Sequence, residues 1–178
     1  MLNVLSITAP IYLLIAAGFV AVRLDWMAAA DVRVLGRFVV QFCVPALLFR
    51  AITRQPLAEV VHVDYLLVYA AGSLLTLASV WLIARRLRGA STSLAAMQAL
   101  GASGSNSVFI GYPLVLQLIG PVAGVALALC TLVENLLIIP LTLALAAPGN
   151  GGQSRIAMLR SSMIGLVRNP MILAIAVG

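Results

Sequence analysis

Thirteen residues, Gly101 to Pro113, read Gly-Ala-Ser-Gly-Ser-Asn-Ser-Val-Phe-Ile-Gly-Tyr-Pro and hold the chain's densest set of groups able to recognise a ligand. Ser105, Asn106 and Ser107 offer hydroxyls and an amide, and Gly104, Gly111 and Pro113 are residues that open a helix. The run lies inside an apolar stretch, Leu94 to Ile119, long enough to cross a bilayer. Within lipid every backbone amide must be satisfied internally, so this composition at mid-depth predicts a broken helix lining a cavity shielded from lipid. Broken helices near the midplane place half-helix ends, with their partial charges, beside ions or carboxylates. The structural alternative is a proline kink with small residues in a tight helix contact.

Four more polar residues sit in or beside apolar stretches. Glu134 and Asn135 fall near the centre of the fifth, where an ionised carboxylate is costly and faces the bundle interior. Burial raises a carboxyl pKa, so Glu134 is a candidate for proton exchange; the alternative is a carboxyl hydrogen-bonded to Ser or Asn of a neighbouring helix. Gln41, four residues before Pro45, is placed to reach the carbonyl that the proline frees, and Asp64 opens the third stretch at the interface. Together these four form a candidate proton or polar relay.

The elements that must position these groups follow from composition. The chain has 178 residues, 63% of them hydrophobic and 9% charged, with a mean hydropathy of +1.13. Such a composition excludes a water-soluble domain, and the segment lengths exclude a transmembrane barrel, so the fold class is an all-α integral membrane protein. Five full-length apolar segments are expected at roughly 3–22, 34–53, 64–84, 94–119 and 121–147, and a sixth begins. Asn169-Pro170 pairs an N-cap with proline at the first helical position. The eight residues after Pro170 would rise only about 12 Å at ~1.5 Å each, so the expectation is a chain cut within its sixth helix.

All 11 basic residues are arginines at segment ends, so the net charge of +6 is read as a topology signal and not as a nucleic-acid surface. Nine lie in the first, third and fifth loops and two in the second. That bias puts the odd-numbered loops in the cytoplasm and the N-terminus outside a cell (inner or plasma) membrane. Within the fifth loop, Ile156, Leu159, Met163, Leu166 and Val167 share one helical face, which suggests an amphipathic interfacial segment; a plain polar connector is the alternative. Cys43 and Cys130 read as small buried hydrophobes, and His62 as a solvated loop residue. No catalytic residue, metal site or cofactor is expected.

Asn106-Ser-Val-Phe-Ile-Gly-Tyr-Pro113 resembles the Asn-x-x-(Phe/Val)-(Met/Ile)-Gly-x-Pro signature of the auxin efflux carrier family, which includes malonate-type permeases. Pro45-Ala-Leu-Leu-Phe49 is similar to that family's second-helix element, and Arg168-Asn169-Pro170 to the opening of its sixth helix. The resemblance runs over the whole chain but covers only the N-terminal half of such a carrier. It implies a ten-helix fold of two inverted five-helix repeats, with the broken fourth helix crossing its counterpart near Pro113. It also implies an organic-anion carrier in which Asn106 donates to a substrate carboxylate, with Ser105, Ser107, Gly111 and Pro113 around it. By the same resemblance residues 1–60 are scaffold helices 1 and 2, and 61–147 are transport helices 3 to 5. Residues 148–168 then form a cytoplasmic linker, and 169–178 start helix 6.

The partners expected are a small organic anion such as a dicarboxylate or an auxin-like carboxylate, the lipid bilayer, a proton or other coupling cation, and a second copy in a homodimer. Two rivals stand beside this reading. Gly101-Ala-Ser103-Gly104 matches the Gly-x-Ser-Gly motif of rhomboid-type intramembrane serine proteases, but residues 34–53 contain no His or Asn to match that family's second helix. A non-transporting half-carrier remnant is the other; pairing of such a half with an inverted copy of itself is opposed by the arginine bias.

Overall fold

A computed structural model describes residues 2–54, 62–147, 161, 164–165 and 167–178. The described residues form helices and turns, with no strand among them. Helix α1 is Leu2–Arg23, with Pro10 inside it. Helix α2, Ala29–Thr53, begins where Asp31 Oδ2 accepts the Ala28 N–H at 3.0 Å. Helix α3 is Val63–Arg86, and α4, Thr92–Ser103, is capped by Ser91 Oγ accepting the Leu94 N–H at 3.2 Å. Helix α5, Tyr112–Ile119, turns at Gly120, whose φ of 75° suits glycine, into α6, Ala123–Val133. Helix α7 is Ile139–Ala146 and α8 is Pro170–Val177.

A wide turn with π geometry lies inside α2, and one leads each of α5 and α7. Val39–Cys43 precedes Val44-Pro45, Ser107–Gly111 precedes Tyr112-Pro113, and Glu134–Ile138 precedes Ile139-Pro140. Each proline lacks an N–H and its ring presses on the carbonyl four residues back, here Gln41, Phe109 or Leu136. Widening the turn by one residue makes room for that ring. The wide turns hold Gln41, Ser107, Glu134 and Asn135, so most of the polar residues singled out in the sequence sit where the helical ladder is loosened.

Among the described residues three helical stretches are long and apolar enough to cross a membrane: Ala29–Thr53, Val63–Arg86 and Thr92–Ala146. The last has 55 residues, which as one straight helix would reach about 80 Å, more than twice a hydrocarbon core. It folds back on itself instead, α4 packing against α7 and α5 against α6. Helix α3 lies along α4, while α2 packs against α6 and α8. Val44, Leu48, Ile52, Leu127 and Ala128 form one buried cluster, and Leu77, Ala99, Val133 and Ile138 a second. Large apolar side chains such as Leu14, Phe19, Val68 and Leu75 face outward, as expected of helices solvated by lipid.

Helices α2 and α6 approach closely at Gly124, where a Cβ would stand 2.5 Å from Ala51 Cβ. Helix α8 runs beside α2 from Asn169, at the level of Asn135, to Gly178, which packs against Phe49 and Ile52. The Asn169-Pro170 start expected from sequence is present: Asn169 Oδ1 accepts the Met171 N–H at 2.9 Å. The amphipathic segment expected before it falls mostly outside the described residues.

Candidate functional site

The Gly101–Pro113 run is broken, and the break lies upstream of its proline. Helix α4 stops at Ser103; Gly104 is extended at φ −79°, ψ 123°, and Asn106 is non-helical at φ −84°, ψ 56°. Pro113 itself sits at the start of the resumed helix α5. Proline loosens the downstream turn, while Gly104 to Asn106 provide the unwound backbone.

Asn106 restarts the chain. Its Oδ1 accepts the Phe109 N–H at 3.3 Å, and its backbone carbonyl accepts the Ile110 and Gly111 N–H groups at 3.2 and 3.0 Å. The side-chain oxygen is thereby spent on the half-helix, which leaves the NH2 group as the donor for anything bound beside it. Asn106 borders two cavities. One, of about 380 Å³, is lined by Ser105, Asn106, Ser107 and Gly111 together with Tyr65, Tyr112 and Cys130. The other, of about 430 Å³, lies between α1 and α5, where Pro113 joins Asn106 beside Pro10, Leu14 and Phe109. The expected site residues are therefore gathered at one break but face two spaces, with Pro113 on the α1 side.

Unwound backbone in an apolar bundle needs acceptors and donors from elsewhere. Glu134 supplies one. Its Oε1 accepts from Ser105 N at 3.0 Å, Ser105 Oγ at 2.9 Å and Tyr69 Oη at 2.7 Å. The two hydroxyls lie 2.7 Å from each other, so three helices meet at a single carboxylate oxygen. Three converging donors satisfy that oxygen and tie the break to α3 and to the α6–α7 turn.

Asn135, next in sequence, points into a different set. Its Nδ2 donates to the Thr131 carbonyl at 2.9 Å, and its Oδ1 accepts from Asn169 Nδ2 at 2.9 Å. Gln41 joins Asn135, Arg168 and Asn169 around a separate cavity of about 710 Å³. Asp64 is exposed in the first turn of α3, and His62 is exposed just before it. The four residues grouped as a relay thus occupy three places. Only Glu134 touches the break.

Sequence reasoning missed Tyr65 and Tyr69. Their rings stack at 6.2 Å, and Tyr65 Oη lies 3.1 Å from Cys130 Sγ. The signal was available: four residues apart on one helix, two tyrosines share a face of an otherwise apolar span. Both thiols are free, Cys130 buried and Cys43 exposed. Ser103, the serine of the Gly-x-Ser-Gly motif, is buried, and its hydroxyl has no hydrogen-bond partner among the described residues. Among the described residues no cluster of His, Cys, Asp and Glu could hold a metal ion.

Comparison with known proteins bears on the family of the chain. Residues 4–178 match the family described as membrane transport protein. A protein of Rhizobium meliloti (strain 1021) named "Putative malonate transporter" is 26% identical over 182 aligned residues, covering 100% of this chain and 56% of that relative. The chain thus spans about half the length of the curated relative it matches. No solved structure matches it. The chain belongs to the membrane transport protein family, the auxin efflux carriers of the sequence resemblance, and is a multi-pass membrane protein.

Proposed function

We propose that the break at Gly104–Asn106 is the anion-recognition point of a secondary transporter for small organic anions. The observation that carries this reading is the division of labour at Asn106: its oxygen caps the half-helix, and its amide hydrogens are left to donate to a carboxylate. Ser105 and Ser107 add hydroxyls, Gly111 lines the same cavity, and Pro113 borders the second one. Among the described residues no cationic side chain lines the cavity, and recognition in this reading rests on amide, hydroxyl and helix-end dipoles. A dicarboxylate is the first substrate to try, because the Rhizobium meliloti relative is named for malonate.

The proposed architecture has five spans forming the first repeat of an inverted-repeat carrier, with α4 and α5 as the two halves of one discontinuous span. The arginine bias supports an N-terminus outside and odd-numbered loops in the cytoplasm of the inner or plasma membrane. Glu134 supports a coupling role, since a carboxylate that grips the break can exchange a proton as the break moves. A homodimer is compatible with the broad apolar outer faces.

The test is equilibrium binding of radiolabelled malonate to the purified protein in lipid nanodiscs, with Asn106→Ala and Asn106→Asp beside wild type. Asn106→Asp keeps the capping oxygen and removes the amide donor. Saturable binding that both variants lose supports the proposal; binding kept in Asn106→Asp reduces Asn106 to a cap.

A further inference from the structure

The cavity of about 710 Å³ bordered by Gln41, Asn135, Arg168 and Asn169 is separate from the Asn106 site and shares no lining residue with it. Gln41 is at the midpoint of the 25-residue α2, Asn135 lies midway along the α6–α7 rod, and Asn169 bonds to Asn135, so the backbone at Arg168 reaches the level of the bundle's middle with its side chain exposed there. An arginine in that position is costly unless it is hydrated, paired or holding an anion.

Among the described residues no acidic side chain partners it. Of the five acidic residues, Asp25 and Asp31 lie at the α1–α2 junction, Glu59 is outside the described residues, and Asp64 starts α3. Glu134 is adjacent in sequence but is turned to Ser105 and Tyr69 on the far side of its turn. Among the described residues no side chain pairs with the Arg168 guanidinium. The groups that do surround the cavity are amides. Asn169 is held by its own cap to Met171 and its bond to Asn135, which fixes the start of α8 against α6–α7. Gln41 is exposed to the space, with its amide unused by the protein.

We propose that this cavity is an oxyanion site in which Arg168 binds a carboxylate or phosphate group through its planar fork and Gln41 donates a further hydrogen bond. Guanidinium matches both groups with two parallel N–H···O bonds, and the absence of a competing carboxylate leaves the fork open. A free anion and the headgroup of an anionic phospholipid present the same oxygens. The proposal does not depend on transport or on Asn106.

The test uses the whole chain in phosphatidylcholine nanodiscs, titrated with inorganic phosphate by calorimetry, and a parallel native mass-spectrometry arm that scores retention of phosphatidylglycerol. Arg168→Gln is compared with wild type and with Arg86→Gln, a charge control at the end of α3. Saturable phosphate binding that Arg168→Gln weakens about tenfold or more, as expected for losing a charge-assisted pair, supports a free-anion site. Loss of phosphatidylglycerol alone in Arg168→Gln supports the lipid headgroup. Wild-type behaviour of Arg168→Gln in both arms, or an equal loss in Arg86→Gln, overturns the proposal. Should Arg168→Gln not give monodisperse protein, Gln41→Ala serves in its place: weakened binding supports the site, and unchanged binding in both arms overturns it.

Discussion

Ser105 donates its backbone N–H to Glu134 Oε1 across 3.0 Å, so a carboxylate on one helix holds the unwound turn of another. Ser105 Oγ and Tyr69 Oη reach the same oxygen. The chain is opened at Gly104–Asn106, and the freed donor of the opening is satisfied by the one carboxylate in the middle of the apolar sequence.

Removing that acceptor strands a backbone N–H and two hydroxyls. Glu134→Ala is expected to cost about 1 kcal/mol, since Ser105 is exposed and Tyr69 half-buried, so water can replace part of the lost acceptor. Glu134→Gln retains an acceptor oxygen and should cost less. Thermal stability of the purified variants, followed by the fraction remaining monodisperse after heating, checks the order. The coupling role has its own readout: Glu134→Gln should flatten the pH dependence of uptake, and an unchanged profile removes Glu134 from any proton pathway.

Gly124 sets how closely α6 approaches α2. A methyl group there would come within 2.5 Å of Ala51 Cβ, so Gly124→Ala is expected to destabilise the pair by about 1–3 kcal/mol through overpacking. Truncating the opposing side chain, as Ala51→Gly, should recover part of the loss. A double-mutant cycle on thermal stability measures that coupling.

Cys130 reports on the Asn106 cavity. In a Cys43→Ala background it is the sole thiol of the chain, and it lines the same space as Tyr65, Ser105 and Asn106. Methyl methanethiosulfonate should modify Cys130 in that background more slowly than it modifies exposed Cys43 in a Cys130→Ala background, and malonate should slow the Cys130 reaction alone. Mass spectrometry of timed samples gives both rates. Equal rates with and without malonate would separate the cavity from the substrate.

Tyr69 ties α3 to the break through two hydroxyl contacts. Tyr69→Phe keeps the ring against its neighbours and removes only the hydroxyl, with an expected cost of about 1 kcal/mol. If α3 moves with the break, the same variant changes the pH dependence of uptake in the direction of Glu134→Gln.

The break was legible in the sequence because polar residues are conspicuous in an apolar run. Gly104, Asn106 and Pro113 in an apolar run foretold a break, and Asn169-Pro170 foretold a capped start. What the chain alone concealed was partnership across helices. Proline drew the eye to Pro113, yet a wide turn absorbs its steric demand locally, and the ladder actually opens at Gly104–Asn106. Glu134 and Asn135 looked like one relay because they are neighbours, but successive residues on a helix point about 100° apart, and they serve different sites.

The central claim is that Asn106 uses its oxygen to cap α5 and its amide to hold a carboxylate. Its direct test is radiolabelled malonate uptake into proteoliposomes by wild type, Asn106→Ala and Asn106→Asp at matched protein density. The account predicts uptake by wild type, and its loss in both variants although Asn106→Asp folds with its cap intact. Uptake by Asn106→Asp equal to wild type would contradict it.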